Sequence, residues 1–114
     1  MLIEQLLSSP KSKEAQDWLK GGMPGSRTLG ELPSTAASCE LVRQLYSLGA
    51  VRVTAVEIDI YDSGEENTGK LIVNLPRDKI ARSELFAWCG EWAHELGFDP
   101  EEDVGQDHLL VMLD

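Results

Sequence analysis

The sequence predicts an α+β sandwich, and three observations carry the prediction. Two stretches, around Leu41, Val42, Leu45 and Leu48 and around Ala81, Leu85, Cys89, Trp92 and Leu96, repeat apolar residues at helical spacing. Residues 51–61, 70–75 and 108–113 are instead short runs rich in β-branched and large aliphatic residues, bounded by turn formers. Finally, 114 residues with 42% apolar content suit one domain with one unstapled core.

Taken in order, the chain opens with Leu2, Ile3, Leu6 and Leu7, a short helical stripe that Pro10 ends. A second turn is predicted over 12–20, with Ala15, Trp18 and Leu19 on one face. Neither piece is long enough to hold a helix alone, so both need a surface to pack on. Gly21-Gly22-Met23-Pro24-Gly25-Ser26 then interrupts any regular structure. Residues 1–25 therefore read as an N-terminal helical arm with a Gly/Pro linker, and residues 26–114 as a single α+β domain.

Within that domain, 26–32 offers a short first strand, though Gly30 and Pro33 suit an edge or a loop. Ser34 and Thr35 start a helix that Gly49 closes. Along 51–61, Val56, Ile58 and Ile60 alternate with Glu57, Asp59 and Tyr61, whereas Val51 and Val53 have the opposite parity, which calls for a bulge near Thr54-Ala55 or a second covered face. Ser-Gly and Thr-Gly signals between 62 and 69 make a hairpin with the strand at 70–75. The helix from Asp78 to Leu96 faces the sheet, and the run 108–113, apolar on both parities, reads as a strand buried on both faces. Val56, Ile58, Ile60, Leu71, Val73, Leu85, Trp92, Leu96, Leu110 and Met112 are expected in one core. The order βαββαβ, or αββαβ without the first strand, is ferredoxin-like: an antiparallel sheet with two helices on one face. In element order it resembles ACT-type ligand-sensing domains, a likeness of fold that implies no activity.

Charge is distributed unevenly. Twenty acidic and ten basic residues give a net charge of −10; residues 1–33 hold four of each sign, so the whole excess lies in 34–114, with sixteen acidic against six basic residues. A nucleic-acid partner is disfavoured by repulsion from the phosphate backbone. No export signal opens the chain and no apolar run approaches the roughly 18 residues of a membrane span, so a cytoplasmic protein is expected.

No catalytic constellation is legible. Cys39 and Cys89 sit in helical runs as buried thiols, and with His94 and His108 they lack the paired spacing of a zinc site. Cys89 and His94, five apart on one helix, diverge by about 140°. The acidic run Asp99, Glu101, Glu102, Asp103 and Asp107 lacks the calcium-loop pattern, and no glycine cluster ends in Lys-Ser/Thr. Neither metal nor cofactor is expected.

Trp88 is the most informative single residue. It shares a helix face with Glu84, Glu91 and Glu95, an aromatic among carboxylates, and the loop adds Asp99, Glu101, Glu102 and Asp103. The expected function is a non-enzymatic acidic interaction or regulatory module that binds a basic partner protein. The alternative is a small-ligand or divalent-metal sensor built on a dimeric sheet. A homodimer is expected on either reading, because two helices on one sheet face leave the other face uncovered.

Overall fold

A computed structural model describes residues 2–114. The chain runs α1 (Leu2–Ser8), β1 (Lys13–Glu14), α2 (Ala15–Lys20), β2 (Arg27–Leu29), α3 (Thr35–Ser47), β3 (Arg52–Ala55), β4 (Asp59–Ile60), β5 (Glu66–Thr68), β6 (Lys70–Asn74), α4 (Lys79–Glu95) and β7 (His108–Met112). The α+β class holds. A four-stranded antiparallel sheet has the order β1-β3-β6-β7, and a smaller sheet has the order β2-β5-β4.

The helices begin where their caps require. The Ser34 side chain accepts from the Ala37 N–H at α3, and Asp78 accepts from Ala81 at α4, so each satisfies a backbone donor the helix leaves open. Gly49 and Gly97 follow the two helices at φ 113° and 82°, conformations that disfavour side chains.

The expected hairpin is present but bent. Ala55 pairs with Leu71 in the large sheet, and four residues along each strand Asp59 pairs with Asn67 in the small one. The register therefore runs through without insertion. Glu57 marks the bend, with φ 51°, and its carboxylate is paired with Lys70 across the hairpin. No bulge lies near Thr54-Ala55; the other alternative holds, since Val53 and Ala55 face the main core while Val56 is covered on the opposite face, and the parity reverses at Glu57.

The strand order departs from the ferredoxin-like one. In that arrangement the strand before α3 would lie beside β6, with the last strand outside it. Here β2 is too short and already engaged: Leu29 donates its N–H to Ser38 Oγ at 2.9 Å, Gly30 donates to the Thr68 carbonyl at 2.8 Å, and β2 pairs in parallel with β5. The outer edge of β6 stays free, and β7 docks directly on it. The opposite edge of the sheet is supplied by β1, from the N-terminal segment.

One face of the large sheet builds the main core, where Val53, Ala55, Leu71, Val73, Leu109 and Val111 meet Leu41, Val42 and Leu45 of α3 and Leu85 of α4. Ala15, Trp18 and Leu19 of α2 join the same cluster. On the other face α1 lays Leu6 over Val56 and Ile72, with Ile3, Leu7 and Leu110 around them. The face on which the expected homodimer rested is thus partly occupied by the chain's own first helix.

Several residues fall outside the single expected core. Val56 and Leu110 belong to the cluster under α1, and Met112 is half-buried on the same parity as Leu110. Ile60 is 71% exposed, beyond the bend at Glu57. Leu96 is 36% exposed, at the last position before Gly97 turns the chain away. Trp92 is half-buried against the core, and Ile58, Leu71, Val73 and Leu85 are buried as expected. Both cysteines are half-buried, more accessible than the buried thiols expected.

Candidate functional site

The placement of β7 dictates the shape of the acidic segment. Because β7 is antiparallel to β6 and α4 returns the chain to the level where β6 begins, residues 96–107 must climb the full length of the sheet before β7 can start. They do so along the outer side of α4. Pro100 passes beside Gly90, where a Cβ would stand 3.4 Å from the proline Cβ, an ordinary contact. Glu101 reaches β7, and Asp103 reaches Arg82 in the first turns of α4.

This path separates the expected partner-binding residues. Glu84, Trp88, Glu91 and Glu95 form one stripe on α4, spaced four, three and four. Asp99 and Glu101 lie on the opposite flank, about 180° around the helix from that stripe, where they border a groove lined by Phe86, Cys89, Gly90 and Ala93 of α4 and by β7. Glu102 is exposed on the loop. Asp103 is engaged: Arg82 donates to it twice, at 3.2 and 2.7 Å, and Gly105 donates its N–H at 3.0 Å. Those bonds hold the Asp103 carboxyl below the usual carboxylate range, with the Arg82 hydrogen bond the larger cause.

On the first flank, Glu84, Glu91 and Glu95 are exposed, and none of them forms an ion pair among the described residues. Trp88 is half-buried, its ring tilted at 47° to that of Trp92 with centroids 6.0 Å apart. The tilted contact lies within the usual range of aromatic pairs, and it braces the indole while leaving part of it accessible.

Apart from Asp99 and Glu101, the second flank carries residues in which the sequence alone shows no functional pattern. The groove holds about 440 Å³ and is lined by Leu2 and Ile3 of α1, by α4, by Phe98 and by Leu109–Met112. Leu109, Val111 and Leu113 direct their backbone groups toward the inner strand, as the Leu113 N–H to Gly69 carbonyl bond of 2.7 Å shows, so Leu110 and Met112 direct theirs outward. The outward N–H of Leu110 is capped by Glu101 Oε2 at 3.1 Å. The Cys89 thiol at the groove wall is pushed up to about 12, mainly by burial and secondarily by the Glu101 carboxylate. Gly90 was the available signal in the sequence: a glycine within a helix costs about 1 kcal/mol against alanine, and here it lies where Pro100 of the loop crosses α4.

Among the described residues, no three His, Cys, Asp or Glu side chains converge to hold a metal ion, and no helix is long and apolar enough to cross a membrane. Comparison with models of known protein families, with curated proteins and with solved structures finds no match for this chain.

Proposed function

We propose that the protein is a non-enzymatic, acidic interaction module of the cytoplasm that binds a basic partner protein through the Glu84, Trp88, Glu91 and Glu95 flank of α4. One observation supports this reading above the rest. A half-exposed indole, braced by Trp92, stands among three carboxylates that have no cationic partner within the described chain. Tryptophan anchors of this kind carry a large part of the energy of protein interfaces, while surrounding charges set the rate of encounter. The net charge of −10 adds a long-range attraction for a basic surface, and binding one would relieve the repulsion among the sixteen carboxylates of residues 34–114.

Selection from a displayed library of random peptides, at low and at physiological salt, tests the reading whatever the identity of the partner. Expected are sequences rich in Lys and Arg around an apolar residue, with association rates that fall steeply as salt rises. Trp88→Ala should chiefly raise the dissociation rate, whereas Glu91→Gln and Glu95→Gln should chiefly slow association. Selection of neutral or acidic peptides, or rates indifferent to salt, would overturn it.

A further inference from the structure

We infer that the groove between α1, α4 and β7 is a binding site for a small hydrophobic amine, with Glu101 as the counter-ion of its ammonium group. This site lies on the other flank of α4 and is independent of the protein-binding surface proposed above.

The size and lining of the groove come first. A volume of about 440 Å³ falls within the roughly 300–1,000 Å³ of small-molecule sites, and its wall is almost wholly apolar, from Phe86 and Ala93 to Leu110. The apolar wall selects for an apolar body. The polar groups that border the groove select the head group. Asp99 and Glu101 are carboxylates, and Glu101 is placed by its bond to the Leu110 N–H through one oxygen, Oε2. Its other oxygen, Oε1, forms no hydrogen bond among the described residues. A carboxylate beside an apolar wall favours a cation that brings its own apolar surface, and it repels an acid of the same shape.

Two other occupants fit the observations less well. A strand added to the edge of β7 would need the Leu110 N–H, which Glu101 already caps, and would meet the loop where Pro100 lies against Gly90. A second copy of the chain would bring two molecules of charge −10 together at a rim of like charge. The small amine needs neither displacement.

The probes are 4-phenylbutylamine and two molecules with the same body, 4-phenylbutanol and 4-phenylbutyrate, titrated into the full chain and followed by backbone amide shifts. The amine should bind at least about tenfold more tightly than the alcohol, a difference of about 1.4 kcal/mol, and the acid more weakly still. Shifts should concentrate at Phe86, Ala93, Leu110 and Met112. Glu101→Gln, whose amide oxygen can still cap Leu110, should abolish the preference for the amine and leave alcohol binding unchanged. Phe98→Ala, at an exposed position on the wall, should weaken amine and alcohol together. Equal affinities for amine and alcohol, shifts confined to the Trp88 flank, or no binding at millimolar amine would each overturn the site. A blocked Leu-Lys-Leu tripeptide that binds more tightly than the amine would also overturn it, since the occupant would then be a partner's lysine. So would a dimer whose interface protects Leu110 and Met112.

Discussion

Arg82 holds Asp103 across 21 positions of sequence, Nε to Oδ2 at 3.2 Å and Nη2 to Oδ1 at 2.7 Å, and also donates to the carbonyls of Pro76 and Gln106. One guanidinium thereby ties the start of α4 to the end of β6 and to the acidic loop. Arg82→Ala should leave the sheet folded and speed amide exchange selectively at Gly105 and its neighbours. Unchanged exchange there would show that the loop is held by other contacts.

The same pair gives a pH dependence with a definite sign. A carboxyl held below its ordinary range stabilises the folded state above the unfolded carboxyl pKa and loses that contribution as pH falls through the lowered value. Protection of the loop amides, taken relative to the intrinsic exchange rate at each pH, should therefore fall on acidification below the usual carboxylate range in the wild type. In Arg82→Ala this added acid sensitivity should shrink to the part that the Gly105 N–H maintains.

Glu66 serves two buried or half-buried donors at once, the Trp18 indole N–H at 3.1 Å and Arg27 Nε at 3.0 Å. Glu66→Ala strands both, and because Trp18 is only 4% exposed the loss should reach about 2–3 kcal/mol in urea unfolding. Glu66→Gln retains an acceptor for one donor and should cost about half as much. Equal losses for the two variants would mean that the side chain's packing, and not its hydrogen bonding, matters.

Cys89 should be slow to alkylate. With its thiol pushed up to about 12, mainly by burial, little of it is thiolate at pH 8, so alkylation in the native protein should be much slower than in the unfolded chain. Labelling as fast in the native protein as in the unfolded chain would show that the thiol is not shielded as described.

Leu45 is fully buried on the inner face of α3, so Leu45→Ala should cost about 3 kcal/mol. Trp92, which the sequence pattern equates with it, is half-buried and should cost less. Leu2→Ala, at a position 60% exposed, should change stability by less than about 0.5 kcal/mol, whereas Leu6→Ala should cost about 2 kcal/mol because it uncovers Val56 and Ile72.

Helices were legible wherever caps and period agreed. Ser34 with Gly49 and Asp78 with Gly97 bracket α3 and α4 within a residue of the expected bounds, since capping is a local interaction between near neighbours. The hairpin was legible for the same reason. Strand order was not, because the preference of Leu29 for Ser38 Oγ over β6 is a contest between distant segments. The exposure of Glu84, Glu91 and Glu95 followed from their helical face. The division of the expected partner-binding residues between two flanks of α4 depended on the path of residues 96–107, which follows from the docking of β7 and leaves no periodic trace in a loop.

The bent hairpin has a consequence for how this sequence can change. Ala55 opposite Leu71 and Asp59 opposite Asn67 keep one count on both arms, so a single residue gained or lost in either arm would turn Ile58 and Thr68 inside out relative to everything beyond them. Length variation in this stretch is therefore confined to its tip, residues 61–65, or must arise in matched steps on the two arms. The tip can lengthen freely, since the Tyr61 N–H to Glu65 carbonyl bond closes the pairing just below it and the residues between are exposed. In any divergent copy of this chain, gaps should fall between Tyr61 and Glu65 and skip the paired positions on either side of the bend.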